Sequence, residues 1–380
     1  MSNEQTLTQY DDWLRDDSPF AALVMRERLV PIEGVDAVIF PPTYARPEGW
    51  REEWLGYNID RFEDGTKICQ IDSVGSQANR MEPIFKRSEY AQLVPKITIR
   101  VGQTTVNLLD AGHRAADAVV RFSSLRSKFD TAFRAVRNEG NAEPLAKLAP
   151  TSIVFGSWDS RSTHAKFPRV VRSVIRAYKV EPVHRSAQYI PPIDYVGDQV
   201  LDAPEGKQQQ DAMSELGFSH APAAWTHGGV TVLGDIRRDA SLNLVALRTL
   251  AAGQQNVQPA ADATDSMLKL RRYILGLALV SLTAPQDSFL REGCQLVPDT
   301  NQPAGWSVVK HDGVRSERKI THGDALAFAI AAASAFGVGA NKEGTFDASL
   351  AKTELGQTGE ARKTARRRSR AGGATQGEAQ

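Results

Sequence analysis

Seven cationic side chains, Arg161, Lys166, Arg169, Arg172, Arg176, Lys179 and Arg185, fall within residues 156–185, opposed only by Asp159 and Glu181, a net +5. A guanidinium stays charged at any physiological pH and offers paired N–H donors that match phosphate oxygens, so such a cluster suits a phosphodiester backbone. Trp158, Phe167, Tyr178 and Tyr189 interleave with it, and Gln188 adds an amide. Aromatic rings in that setting can stack on unpaired bases, with core packing as the competing role for each. For the arginines the competing role is ordinary surface salt bridging.

A second group lies in residues 72–82, where Gln77, Asn79 and Arg80 stand among small residues near a helix start. Backbone N–H groups and side-chain donors there can meet an anion. The alternative is a capped helix whose amides satisfy neighbouring backbone. Arg237 and Arg238 are further cationic candidates, with Arg248 beside them, and each also has a plain surface reading.

Catalytic motifs fail on inspection. Gly156-Ser157-Trp158-Asp159 lacks the second glycine of a nucleophile elbow. Residues 337–342, GVGANK, lack the Gly-Lys-Ser/Thr ending of a P-loop and follow a helix. The seven histidines are scattered without metal-ligand spacing, and Asp159 with His164 is a weak acid/base pair. No catalytic residue, metal or cofactor is expected.

The elements that position these residues are mixed. Between Arg169 and Val180 a strand, which sets Arg172 and Arg176 on one face, competes with a helix; β-branched content favours the strand. Lys96–Val101 and Thr104–Leu108 around Gly102-Gln103 predict a β-hairpin. Helices are expected over about 112–122 and 124–136, with Gly140 as a stop. Thr151–Phe155 and Val230–Ile236 read as strands. Asp239 or Ser241 is expected to cap a helix through Leu250, and Asp265 or Ser266 one through Leu282 with a polar stripe of Asp265, Lys269, Arg272 and Gly276. Thr321 with Asp324 resembles a capping box before Ala325–Phe336. Residues 197–227 lack periodicity and predict a long exposed excursion.

The chain has 380 residues, with 46 basic against 45 acidic side chains and two cysteines. Two cysteines exclude a disulfide framework and fit a reducing compartment. The polar, acidic N-terminus and the short longest apolar run, Tyr273–Leu282, point to a soluble cytoplasmic protein without a membrane partner. The near-neutral total hides a partition. Residues 1–64 carry a net −8 and residues 359–380 a net +4, the latter in a Gly-, Ala- and Arg-rich tail that predicts disorder.

Together the segments IDSVGSQANRMEP, FGSWDS, KFPRVVRSVIRAYKV, RSAQYIPPIDY, the GG-V…IRR-A-LNLVALR stretch and RRYILGLALVSLTAPQDSFLREGCQLVPD resemble one known family. It is the backbone RAMP subunit of type I-G (formerly I-U) CRISPR effectors, a GSU-type Csb family within the Cas-seven superfamily. The resemblance spans about residues 65–300. It implies an α+β fold, an RRM-like (ferredoxin-like) core with helical and loop insertions, arranged as palm, fingers and thumb. On that mapping residues 65–350 are the core, with fingers near 112–148 and a thumb near 197–227; the acidic N-terminal region, 1–64, and the disordered basic tail, 351–380, lie outside the resemblance and are set apart by their charge.

The implied role is noncatalytic. Copies would assemble head to tail along a guide RNA (crRNA) and display it for pairing with target DNA in antiviral defence. The large subunit and a Cas-five/Cas-six-like subunit of the Cascade complex would be further partners. The acidic first 64 residues and the basic middle would supply complementary faces between copies. RNA contact would fall to Gln77, Asn79, Arg80, Lys166, Arg169, Arg172, Arg176, Arg185, Gln188, Tyr189, Arg237 and Arg238. Two other readings compete: a metal-dependent RNA-cleaving relative using Asp159, Asp194 or Asp198, and a generic single-strand coat protein.

Overall fold

A computed structural model describes residues 3–49, 54, 56–253 and 261–357. Its centre is a nine-stranded sheet. Four strands set its plan: Phe20–Pro31, Val171–Tyr178, Ile236–Asn243 and Cys294–Pro298. In space they run 294–298, 20–31, 236–243, 171–178, each antiparallel to its neighbour. The connection from 236–243 to 294–298 passes through the helix Ala261–Thr283, and that from 20–31 to 171–178 through several helices including Val74–Met81. This split βαβ arrangement is the ferredoxin-like, or RRM-like, pattern. The fold is therefore α+β with an RRM-like core. Lys67–Asp72 and Ile59–Arg61 extend the sheet beyond 171–178, while Gly305–Lys310 pairs with the first half of 20–31.

Alternation decides which face of the sheet is buried. Leu23, Met25, Ala240 and Leu242 point to the helix-covered side, as does Ser173 between them, and Ile175, Ala177, Cys69 and Ile71 continue that face into a second apolar cluster with Ile39, Tyr57 and Val230; all are buried. Their strand neighbours point to the other side, where Val24, Arg26, Arg28, Arg172, Arg176, Tyr178, Arg237, Asp239 and Ser241 are exposed or half-buried, so among the described residues this face is left largely uncovered. Helix 261–283 is buried from Leu270 to Leu282 and crosses the alanine-rich helix His322–Phe336. A Cβ on Gly276 would come 2.8 Å from Cα of Ala329, so the crossing needs glycine there. The expected polar stripe therefore ends at Lys269. Beyond it, Arg272 is buried against Asp11, and Gly276 is a helix contact.

The first 64 residues do not lie outside the core, since 20–31 is a central strand paired on both sides. Their acidic charge is partly spent inside the chain: Asp11 on Arg272, Asp16 on Arg271 and Glu27 on Arg238. The 112–148 stretch contributes Phe129, Phe133 and Leu145 to the main apolar cluster and does not stand apart from it. Its first part is shorter than expected, a 3-10 turn Arg114–Ala116 and one helical turn Ala118–Arg121, before the helix Arg126–Glu139 that Gly140 ends at φ +69.

The excursion is wider than 197–227. Val180–Tyr189 and Ala221–Val232 pair as a separate two-stranded ribbon, and its loop carries the helix Lys207–Glu215. Two other segments differ from expectation. Residues Thr151–Val154 form a helical turn, because burial of all four side chains outweighs their β-branched preference. Asp239 and Ser241 lie in a strand, and Asn243 caps the helix Leu244–Arg248 by accepting from the Ala246 N–H. The hairpin Ile97–Val101/Thr104–Asn107 and the Thr321 cap are found as expected, the latter with Thr321 Oγ1 accepting from the Asp324 N–H. At the tail, residues 351–357 are helical, with Glu354 on Arg126 at 2.9 Å, and 358–380 lie outside the described residues. Among the described residues no helix is long and apolar enough to cross a membrane.

Candidate nucleic-acid interface

The uncovered sheet face is built by register. Residues directly opposite in an antiparallel pair share a face. Arg172 lies opposite Ser241, Val174 opposite Asp239, and Arg176 opposite Arg237; on the next strand Val24 lies opposite Ser241, Arg26 opposite Asp239 and Arg28 opposite Arg237. Gln70 flanks Arg176 and Ile68 flanks Tyr178 on the other side. Five arginines thus project from one face around a buried Val174.

Their pairing is uneven. Arg26 Nε and Arg237 Nε each donate to Asp239, at 3.1 Å, and Arg28 pairs with Asp235. The Arg237 guanidinium also lies over the Tyr178 ring, 4.0 Å from its centroid, and the Tyr178 hydroxyl is 3.4 Å from Asp239. Neither Arg172, which is exposed, nor Arg176, which is half-buried, makes an ion pair or side-chain hydrogen bond among the described residues. Two unneutralised guanidiniums on one strand, flanked by an aromatic ring, suit sequence-independent contact with a phosphate backbone.

The other expected contact residues are dispersed. Arg238, next to Arg237 in the strand, must point to the opposite face. It is 6% exposed, pairs with Glu27 at 2.9 Å and donates to the Leu282 carbonyl at 3.2 Å, so it is part of the interior. Gln77 is likewise buried: Nε2 donates to Asp72 at 2.6 Å, and Oε1 accepts from Ser173 Oγ at 2.8 Å. Arg80 is tied to Asp72 at 3.2 Å and donates to the Leu290 carbonyl at 2.7 Å. These two residues lock a helix onto the sheet, which is the structural alternative for that segment. Phe167 is in the core.

Asn79 and Arg169 meet at a different place, around Arg114. Asn79 Oδ1 accepts from Arg114 at 3.1 Å, and Arg114 pairs with the buried Glu82 at 2.7 Å. Burial pushes the Glu82 carboxyl up to about 7 against the pull of Arg114. Arg169 is exposed; burial of part of its side chain, and then the Arg114 charge, press its pKa below the usual arginine value. Lys166 sits 5.6 Å over the exposed Trp158 ring, in the two-residue ladder Ser157–Trp158/Lys166–Phe167.

Arg185, Gln188 and Tyr189 stand on the ribbon, all exposed, Gln188 against His220 at 3.2 Å. The ribbon also carries a residue that sequence reasoning missed. Trp225 is 73% exposed, at φ +60, and stacks flat on His184 with centroids 4.5 Å apart. Arg26 and Arg28 were missed as well, hidden in an acidic segment. The alternation of Leu23, Met25 and Leu29 with Val24, Arg26 and Arg28 is the signal that places them on the outer face.

Two of the three candidate aspartates accept local hydrogen bonds. Both Asp159 oxygens accept from Ser162 and Thr163, and hydrogen bonds from the latter hold its carboxyl low despite burial. Asp194 caps the Gly197 N–H at 2.8 Å. Both cysteines are buried, and burial pushes their thiols up to about 12. Among the described residues no group of three His, Cys, Asp or Glu side chains could hold a metal ion.

No curated protein matches the chain. Residues 23–182, which begin in the central strand and end just past Arg172 and Arg176, match the family model described as CRISPR-associated protein GSU0053. The match covers 160 of the 380 residues and makes this chain similar to CRISPR-associated proteins of that kind.

Proposed function

We propose that this chain is a noncatalytic backbone subunit of a type I-G CRISPR effector, binding guide RNA and presenting it to target DNA. The observation that carries the reading is the pair of unneutralised arginines, Arg172 and Arg176, on the uncovered face of an RRM-like sheet, within the segment similar to a CRISPR-associated family. Phosphate contacts of this type carry no sequence information, which suits a protein whose specificity comes from base pairing. The ribbon, with Tyr189 and the Trp225–His184 stack, serves as a thumb that adds stacking surface. Head-to-tail copies, the large subunit and a Cas-five/Cas-six-like subunit are the protein partners.

The test is co-expression with a repeat–spacer transcript and the neighbouring gene products, followed by purification and sequencing of the bound RNA. One repeat-flanked species in a large assembly, lost in Arg172→Ala/Arg176→Ala, is the expected result. A mixture of cellular RNA would replace this reading with a generic coat protein. A nucleic-acid-free monomer would overturn both.

A further inference from the structure

Asp239 occupies an unusual place. Aspartate is depleted in strand interiors, and this one sits mid-strand opposite Val174 and Arg26. Its two carboxylate oxygens take three donors: Arg26 Nε, Arg237 Nε and the Tyr178 hydroxyl. It is half-buried, so these pairs are less screened than those in open solvent. The ladder itself requires no carboxylate, and a residue that breaks a local preference without a packing reason points to function.

We propose that Asp239 is a built-in counter-charge that withholds Arg26 and Arg237 from the nucleic acid. A single copy then grips single-stranded RNA mainly through Arg172 and Arg176, weakly and reversibly. This inference rests on the reading of the uncovered face as an RNA surface and goes beyond it, by naming the residue that sets its affinity. Removing the carboxylate frees two further guanidiniums beside the first two, and each new phosphate contact releases counterions.

The test is binding of the full chain to a labelled oligouridylate of ~20 nucleotides, by fluorescence anisotropy across a salt series. Asp239→Asn is expected to tighten binding about tenfold at low salt and to steepen the slope of log K against log salt by about 0.7–1.4. Asp17→Asn makes the same change in net charge at an exposed position far along the chain and is expected to do neither. Asp239→Ser is the second variant, and melting temperatures confirm that each variant is folded. Unchanged or weaker binding by folded Asp239→Asn and Asp239→Ser overturns the counter-charge. If Arg172→Ala/Arg176→Ala still weakens binding and lowers its salt slope in that case, the reading of the face survives. Binding indifferent to all these variants overturns both.

Discussion

Arg237 lies over the Tyr178 ring, 4.0 Å from its centroid, on the same sheet face as its cross-strand neighbour Arg176, yet only Arg237 has a carboxylate partner. The face therefore holds two kinds of arginine, one fixed by the protein and one left to solvent. On the proposed function, the free kind is what a phosphate would meet without displacing anything.

Replacing Arg172 and Arg176 by alanine should reduce the salt slope of RNA binding by about 0.7 per arginine that contacts a phosphate. Since Arg172 is exposed and Arg176 pairs with no carboxylate, the melting temperature should stay near that of the wild type. Anisotropy and thermal melts on the same samples check both halves.

Arg238→Ala should behave in the opposite way. It leaves Glu27 in a site closed to most solvent and should cost about 3 kcal/mol, with the salt slope of RNA binding unchanged. Glu27→Met/Arg238→Met, which removes both charges, should cost less than Arg238→Ala. Urea denaturation reads the difference.

Gly276→Ala tests the helix crossing. The added methyl meets Ala329 backbone at 2.8 Å, and overpacking should outweigh the gain in helix propensity, for a net loss of about 1–2 kcal/mol. A stabilised variant would mean that the two helices can move apart freely.

Glu82 gives a pH dependence. Its folded-state pKa, about 7, is raised above the ordinary carboxylate value of 4.5. The folded state therefore holds the proton more tightly than the unfolded one. Its contribution to stability is fully present below pH 4.5 and is lost as pH rises through 7. Glu82→Gln removes that dependence, so the stability of wild type relative to this variant should fall between pH 5 and pH 8. Denaturation midpoints at the two pH values check it.

Trp225→Gly should relieve backbone strain at φ +60, worth about 1 kcal/mol, while removing the stack on His184. A variant that is as stable as the wild type but binds RNA less tightly would assign the exposed indole to RNA contact.

Much of this arrangement was legible in the residues. The alternation through Arg172, Val174 and Arg176 set both arginines on one face, and the β-branched run chose strand over helix there. Thr321 with Asp324 marked a helix start because a short side-chain oxygen meets free amides. What stayed hidden depended on contacts distant in sequence. Adjacent Arg237 and Arg238 look alike in a list, and only the strand sends one to solvent and the other to Glu27. Gln77 and Arg80 offer donors, but Asp72 and the Leu290 carbonyl claim them first, and the Ser173 hydroxyl occupies the Gln77 amide oxygen. Residues 151–154 carry strand-like side chains, and packing overrides their preference.

The central strand also bears on how the chain is made. Ala22 pairs with Asn243, Val24 with Ser307 and Leu29 with Pro298, so a segment that leaves the ribosome early finds both its neighbours only late in synthesis. Until then it carries two open edges and an apolar side, a hazard for association with other nascent chains. Loop closure over such spans also makes folding slow. A stop codon or frameshift before residue 236 would therefore do more than remove a C-terminal piece. It would strand the oldest part of the sheet without partners.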